Sequence, residues 1–168
     1  MDRRFNHRLS ARDYRIKRGV VTKQDGLSLT HLATATFDTA GVDSSGVSNK
    51  TQAAHGLGVY LPDNAIVINA WYDVLTTFVS ADDDASIAIH AEAANDLLTA
   101  TTITNTTPGI FDGNFPIGSP TGIHTTTNVG IIAGFVKTTA EREITATVGT
   151  EVLTAGKLIF YTEYVLSD

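Results

Sequence analysis

The feature that most limits how this chain can fold is a two-residue alternation running through its longer apolar stretches. Successive side chains of a strand point to opposite faces, so a period of two marks a half-buried strand. From about Ser28 onward this period dominates, and β-branched and aromatic residues become common. In the longest run Ile66, Ile68, Ala70, Tyr72, Val74, Thr76 and Phe78 share one face, expected to be core. Val67, Asn69, Trp71, Asp73, Leu75, Thr77 and Val79 share the other. Ala81-Asp82-Asp83-Asp84 interrupts the run and Ser86 to Ala91 resumes it, which predicts two antiparallel strands joined by an acidic turn. Glu143 to Val148 and Lys157 to Leu166 alternate in the same way and predict a closing hairpin around Leu153-Thr154-Ala155-Gly156.

Between these halves, Thr99 to Asn128 is dense in Thr, Gly and Pro, with turn signals at Pro108-Gly109, Asp112-Gly113 and Ser119-Pro120-Thr121-Gly122. The segment reads as one or two long excursions, and Ala91 to Thr99 offers at most two helical turns. Short strands, long polar loops and no βα alternation predict an all-β fold, an antiparallel β-sandwich of the jelly-roll kind. Strand edges rich in Thr and poor in Lys and Pro invite pairing with another chain, so a closed homotrimer is expected to bury them. Phe111 and Phe115 are the residues expected at that interface.

Charge divides the chain at residue 23. Residues 1–23 hold eight bases (Arg3, Arg4, Arg8, Arg12, Arg15, Lys17, Arg18 and Lys23) against Asp2 and Asp13, a net +6. Residues 24–168 hold sixteen acids and four bases, a net −12. The partition is therefore a basic N-terminal arm (1–23) on a single β-sandwich domain (24–168). Phe5, Leu9, Arg12 and Ile16 lie three or four apart and would share a helical face, but repulsion among the bases opposes an isolated helix. The arm is expected to be extended or frayed alone and ordered by a partner. Nucleic acid is a poor partner, because a body of net −12 and an overall pI of about 5.2 oppose a polyanion. An acidic protein surface, including the next subunit's body, suits the arm better.

The chain has no cysteine, which excludes disulfides and thiolate metal sites. No apolar segment follows the arginine pair at Arg3-Arg4, so no export signal is expected, nor is a membrane-spanning helix. Asp82 to Asp84 lack the alternate ligand spacing of a calcium loop and read as a solvated turn, with Asp96 or Asp112 as the only further ligands to consider. His7, His31, His55, His90 and His124 lack the close pairing of a zinc site. Asp73 and Glu92 are the one carboxylate pair to weigh for hydrolysis, and no other motif points to catalysis; neither enzyme activity, metal nor cofactor is expected. His55-Gly56-Leu57-Gly58 lacks the Lys and Ser or Thr of a phosphate loop and predicts a tight turn or bulge. Trp71, Tyr72, Tyr60, Tyr161 and Tyr164 are candidates for a sugar platform, although adjacent Trp71 and Tyr72 must face opposite sides of a strand.

The runs Gly58 to Val74, Thr76-Thr77-Phe78, Ala85 to Ile89, Arg142 to Val148 and Leu153 to Leu158 resemble small structural proteins of tailed bacteriophages, particularly those of aquatic and cyanobacterial phages. The resemblance covers roughly Gly56 to Val165 and leaves out the arm. It implies a β-sandwich virion component, a frequent form being a decoration or cement protein that joins copies of itself about a symmetry axis, commonly a threefold, and docks on the major capsid protein. A head-fibre, neck or tail component is the nearest alternative, and a glycan-binding module the more distant one. The arm residues expected to dock are Arg3, Arg4, Arg8, Arg12, Arg15 and Arg18, with Phe5, Tyr14 and Ile16 as apolar anchors. The chain would be made in the host cytoplasm and reside on the capsid surface.

Overall fold

The four alternating runs lie in four of the nine strands found among the described residues, 30–104, 111, 117–118 and 135–167, of the computed structural model. The nine are β1 (His31–Asp38), β2 (Ala54–Leu61), β3 (Ala65–Ser80), β4 (Ser86–His90), β5 (Leu98–Thr102), β6 (Ile117–Gly118), β7 (Val136–Lys137), β8 (Arg142–Gly149) and β9 (Leu153–Leu166). No helix occurs among the described residues, hence none long and apolar enough to cross a membrane. The arm at 1–23 lies outside the described residues, as do Phe115, His7 and His124.

The strands pair from the outside inward. β1 pairs with β9, β2 with β8, β3 with both β6 and β7, and β4 with β5, all antiparallel. Two further ladders, β3 with β9 and β4 with β8, fold this nested series into two sheets, ordered β1-β9-β3-β6 (β7 also on β3) and β2-β8-β4-β5. The fold is thus an antiparallel β-sandwich.

The core lies between the sheets. Phe37, Phe160, Leu158 and Tyr72 from the first sheet face Ile87, Ile89, Ile144 and Ala146 from the second, each at most 1% exposed. Burying side chains of this size contributes roughly 1.5–3 kcal/mol apiece, which is what holds two sheets together without disulfides. An aromatic chain runs through this layer: Phe37 stacks on Phe78 at 5.9 Å, Phe78 meets Phe111 edge-on at 5.7 Å, and Phe111 stacks on Tyr72 at 5.5 Å. Burial pushes the Tyr72 phenol up to about 12, because the phenolate would lose its water. At Gly156 (φ +143°) an added Cβ would overlap the Phe78 ring, so only glycine lets β9 pass this close.

Several expectations need correction. The single alternating face of β3 is broken by a bulge: Val67 pairs with Tyr164 and Asn69 with Glu163, leaving Ile68 extra. The flip puts Ala65 and Val67 in the core and leaves Ile66 and Ile68 half-buried, whereas Ala70, Tyr72 and Val74 face inward as expected. The acidic turn does not close a hairpin, because β3 and β4 belong to different sheets; it is a corner between them. The same holds for β8 and β9, and Leu153 to Gly156 is the start of β9 itself. The excursion after Thr99 begins inside a strand, β5, and Phe111 is 1% exposed, so Phe111 serves the subunit core and not an interface.

Candidate docking surfaces

Loop contacts define two ends of the sandwich. At one end the β1–β2 loop, the β3–β4 corner and the β8–β9 connection converge: Leu153 N donates to Lys50 O at 2.9 Å, and Glu151 receives the corner. The Glu151 carboxylate accepts the backbone N–H groups of Asp82 (3.1 Å) and Asp84 (3.3 Å) and the Ser80 hydroxyl. The Ser80 hydroxyl first, then these amides, hold Glu151 below the ordinary carboxylate range. The backbone of the acidic turn thus cradles an anion while the side chains of Asp82, Asp83 and Asp84 stay exposed, an arrangement of a corner clasp. No group of three or more metal-binding side chains occurs among the described residues.

The opposite end gathers residues 62–64, 91–97 and 138–141. Thr138 Oγ1 donates to Pro62 O at 2.6 Å, and Ser167 N to Asn64 O at 3.0 Å. Glu92 receives Arg142 Nε at 2.9 Å and Nη2 at 3.1 Å, and Thr139 N at 3.0 Å. The guanidinium hydrogen bonds are the main reason that the Glu92 carboxyl is held down at about 2. Glu92 is therefore committed to its loop, while Asp73 sits on β3 of the other sheet between Ile117 and Ile159. The structure gives this carboxylate pair no shared site.

His55 is fully buried, with Nδ1 3.1 Å from Asp43 Oδ2 and Nε2 2.9 Å from Thr51 O. It pins the β1–β2 loop to β2. Asp43 is held below its usual range first by the Val47 amide and also by His55. His55-Gly56-Leu57-Gly58 does form the expected bulge: the β2–β8 register shifts between Gly56 and Tyr60, and Gly58 takes φ +70°. Glu143 Oε1 accepts the Gly58 N–H at 2.7 Å across the bulge.

The outward face of the first sheet carries the remaining candidates. Trp71 and Tyr161 are register partners on β3 and β9, with ring centroids 5.3 Å apart and planes 12° from parallel. Their neighbours Ala70, Tyr72, Phe160 and Thr162 are buried, so Trp71 and Tyr161 face outward and Tyr72 is the core member of its pair. Each ring covers one face of the other, so the two do not offer side by side the open faces a sugar platform needs. Tyr164 instead stacks on His31 at 5.2 Å and packs against the core, and Tyr60 stands 52% exposed on β2 of the other sheet. Successive rows across β1, β9 and β3 read Leu32–Glu163–Asn69, Thr34–Tyr161–Trp71 and Thr36–Ile159–Asp73. Lys157, one of four bases outside the arm, is taken by Asp38 at 2.9 Å, and that contact lowers the Asp38 carboxyl.

Sequence reasoning missed the roles of Glu151, Glu143 and Asp43. The signal is faint for Glu151 and Glu143, which act through backbone amides brought close only by the fold; Asp43 caps its own loop through the Ser45 and Val47 amides and meets the His55 ring.

No protein-family model matches the sequence, and no curated protein matches it significantly. Solved structures do share its fold. A chain in the acidic stable capsid structure of Helicobacter pylori bacteriophage KHP30 aligns over 83% of this chain and 90% of its own, with TM-score 0.53 and 15% identity. A chain of the cyanophage Pam1 capsid asymmetric unit aligns over 82% of this chain and 85% of its own, with TM-score 0.54 and 13% identity.

Proposed function

We propose that this chain is a structural protein of a bacteriophage virion, a jelly-roll subunit that decorates the capsid and cements its shell. The observation that carries the reading is the nested strand order. One long antiparallel series, β1 with β9 inward to β4 with β5, is rolled into two sheets, as in the double-sheet jelly rolls used by viral capsid domains. The likeness in fold to chains from two phage capsids supports it.

On this reading the basic arm is the docking element, through Arg3, Arg4, Arg8, Arg12, Arg15 and Arg18 with Phe5, Tyr14 and Ile16 as anchors. Arginines on acidic surface make charge-assisted hydrogen bonds, and several arms on one homotrimer raise the effective concentration at the shell. The major capsid protein is the partner, the capsid surface the location, and the chain is not an enzyme and takes no cofactor, membrane or nucleic acid.

Deletion of residues 1–18 tests the arm. The truncated protein should remain folded and fail to decorate purified particles, and docking of the full chain should weaken as salt shortens the Debye length from about 10 Å at 0.1 M to about 3 Å at 1 M. Undiminished occupancy after truncation would contradict the assignment.

A further inference from the structure

We propose that the edge of β1, from Leu32 to Phe37, which is unpaired among the described residues, is a strand-addition site whose occupant is the Asp13 to Lys17 segment of the basic arm of a second copy of this chain, leaving Arg3, Arg4, Phe5 and Arg8 to reach the shell; the proposal rests on the reading of the arm as the docking element. The four sheet margins are unequal. β2 is interrupted by its bulge and tied by Glu143, β5 is five residues long with a register shift against β4, and β6 and β7 are two residues each. Bulges and brevity are the ordinary protections of a sheet edge. β1 has neither, since its register with β9 runs unbroken over eight residues, and its sequence contains no Pro, Lys or Arg. Among the described residues it pairs only with β9.

Charge chooses the occupant. Asp38 ends the strand and Glu163 stands in the row of Leu32, while the nearby base, Lys157, is held by Asp38. A second acidic body placing its own β1 here would repel, whereas a net +6 segment is attracted. In the arm Tyr14 and Ile16 alternate with Asp13, Arg15 and Lys17, the period an added strand requires to set apolar side chains on one face. That face would continue the row Thr34–Tyr161–Trp71. Twelve residues separate Lys17 from Thr30, enough for a chain's own arm to fold back, so the choice of a neighbour's arm follows from the homotrimer of the proposed function, and the isotope test decides it. Head-to-tail arm exchange of this kind is heterologous, and three copies related by a threefold axis would close it into a ring.

The test uses full-length protein in which Thr34, exposed on β1, is replaced by a benzophenone-bearing residue, prepared in light and 15N-labelled forms and mixed before irradiation. Cross-linked peptides should join position 34 of one isotope to residues 1–23 of the other, with yield rising with concentration and falling at least ten-fold when Thr36→Lys is added. Cross-links within one isotope alone would assign the edge to the chain's own arm, cross-links between two β1 strands would assign it to edge-to-edge pairing, and none to the arm would leave the edge without this role; each overturns the proposal. Absence of the protein from virions would instead sink the capsid reading while leaving these cross-links as they are.

Discussion

Two eight-residue strands, β1 and β2, occupy corresponding margins, each outermost in its own sheet, yet among the described residues only one is guarded. β2 spends Gly56 and Gly58 on a bulge, and a Cβ at Gly56 would overlap Ser44 Oγ and the Glu143 carboxylate. β1 keeps an unbroken register with β9, with Ala33-Thr34-Ala35-Thr36 at its centre. Both pack on the same core, so the difference lies in edge chemistry and not in burial: a protein that bulges one margin and leaves the other flat has one margin to share.

The largest expected effect concerns what the two margins have in common. Phe111→Ala removes a ring packed on Tyr72 and Phe78 and should cost about 3–5 kcal/mol in denaturant unfolding, with both edges affected alike. A cost under about 1 kcal/mol would show that the aromatic chain does not underlie the sandwich. Next, Gly156→Ala should destabilise by about 1–3 kcal/mol, since the new methyl meets Phe78 at a backbone angle that L residues rarely adopt. Glu143→Ala should cost on the order of 1 kcal/mol by freeing the Gly58 amide, and should speed hydrogen exchange along β2 without changing β1. Equal acceleration on both strands would erase the distinction between the margins.

Acid should loosen both ends of the sandwich. Asp38, Asp43, Glu92 and Glu151 have folded values below their ordinary 3.8 and 4.5, so their contribution is complete above those values and is lost as pH falls through the folded ones, to about 2 for Glu92. Thermal melts should fall steadily from pH 5 to pH 2, and Glu92→Gln should flatten the lowest part of that profile. A melting temperature constant over this range would contradict the assigned contacts. The smallest effect is none: EDTA should leave the melting temperature unchanged, because the exposed side chains of Asp82 to Asp84 surround a turn whose backbone already holds Glu151. A large drop would restore calcium to that corner.

The strands and the inward faces of β4, β8 and β9 were legible because a period of two survives wherever a strand is regular. Ile66 and Ile68 were misplaced because one extra residue in a bulge inverts every side chain before it, and a bulge without glycine leaves no mark in the sequence. Corners between sheets read as hairpins for a related reason: Asp82 to Asp84 carry turn chemistry and Leu153 to Gly156 reads as a turn, and neither signal says whether the next strand pairs with the last one. The two proposed docking elements differ in how they show in the sequence. The arm stands out by charge alone, whereas the flatness of β1 emerges only by comparison with the bulge in β2.

The measurement that bears most directly on the account is a virion reconstruction at a resolution that traces strands. This nested β-sandwich should repeat over the capsid surface, with residues 1–23 running onto the shell and a neighbouring copy. Density for it confined to a few copies at one vertex would make it a neck, tail or head-fibre protein, and its absence from the particle would contradict the virion role altogether.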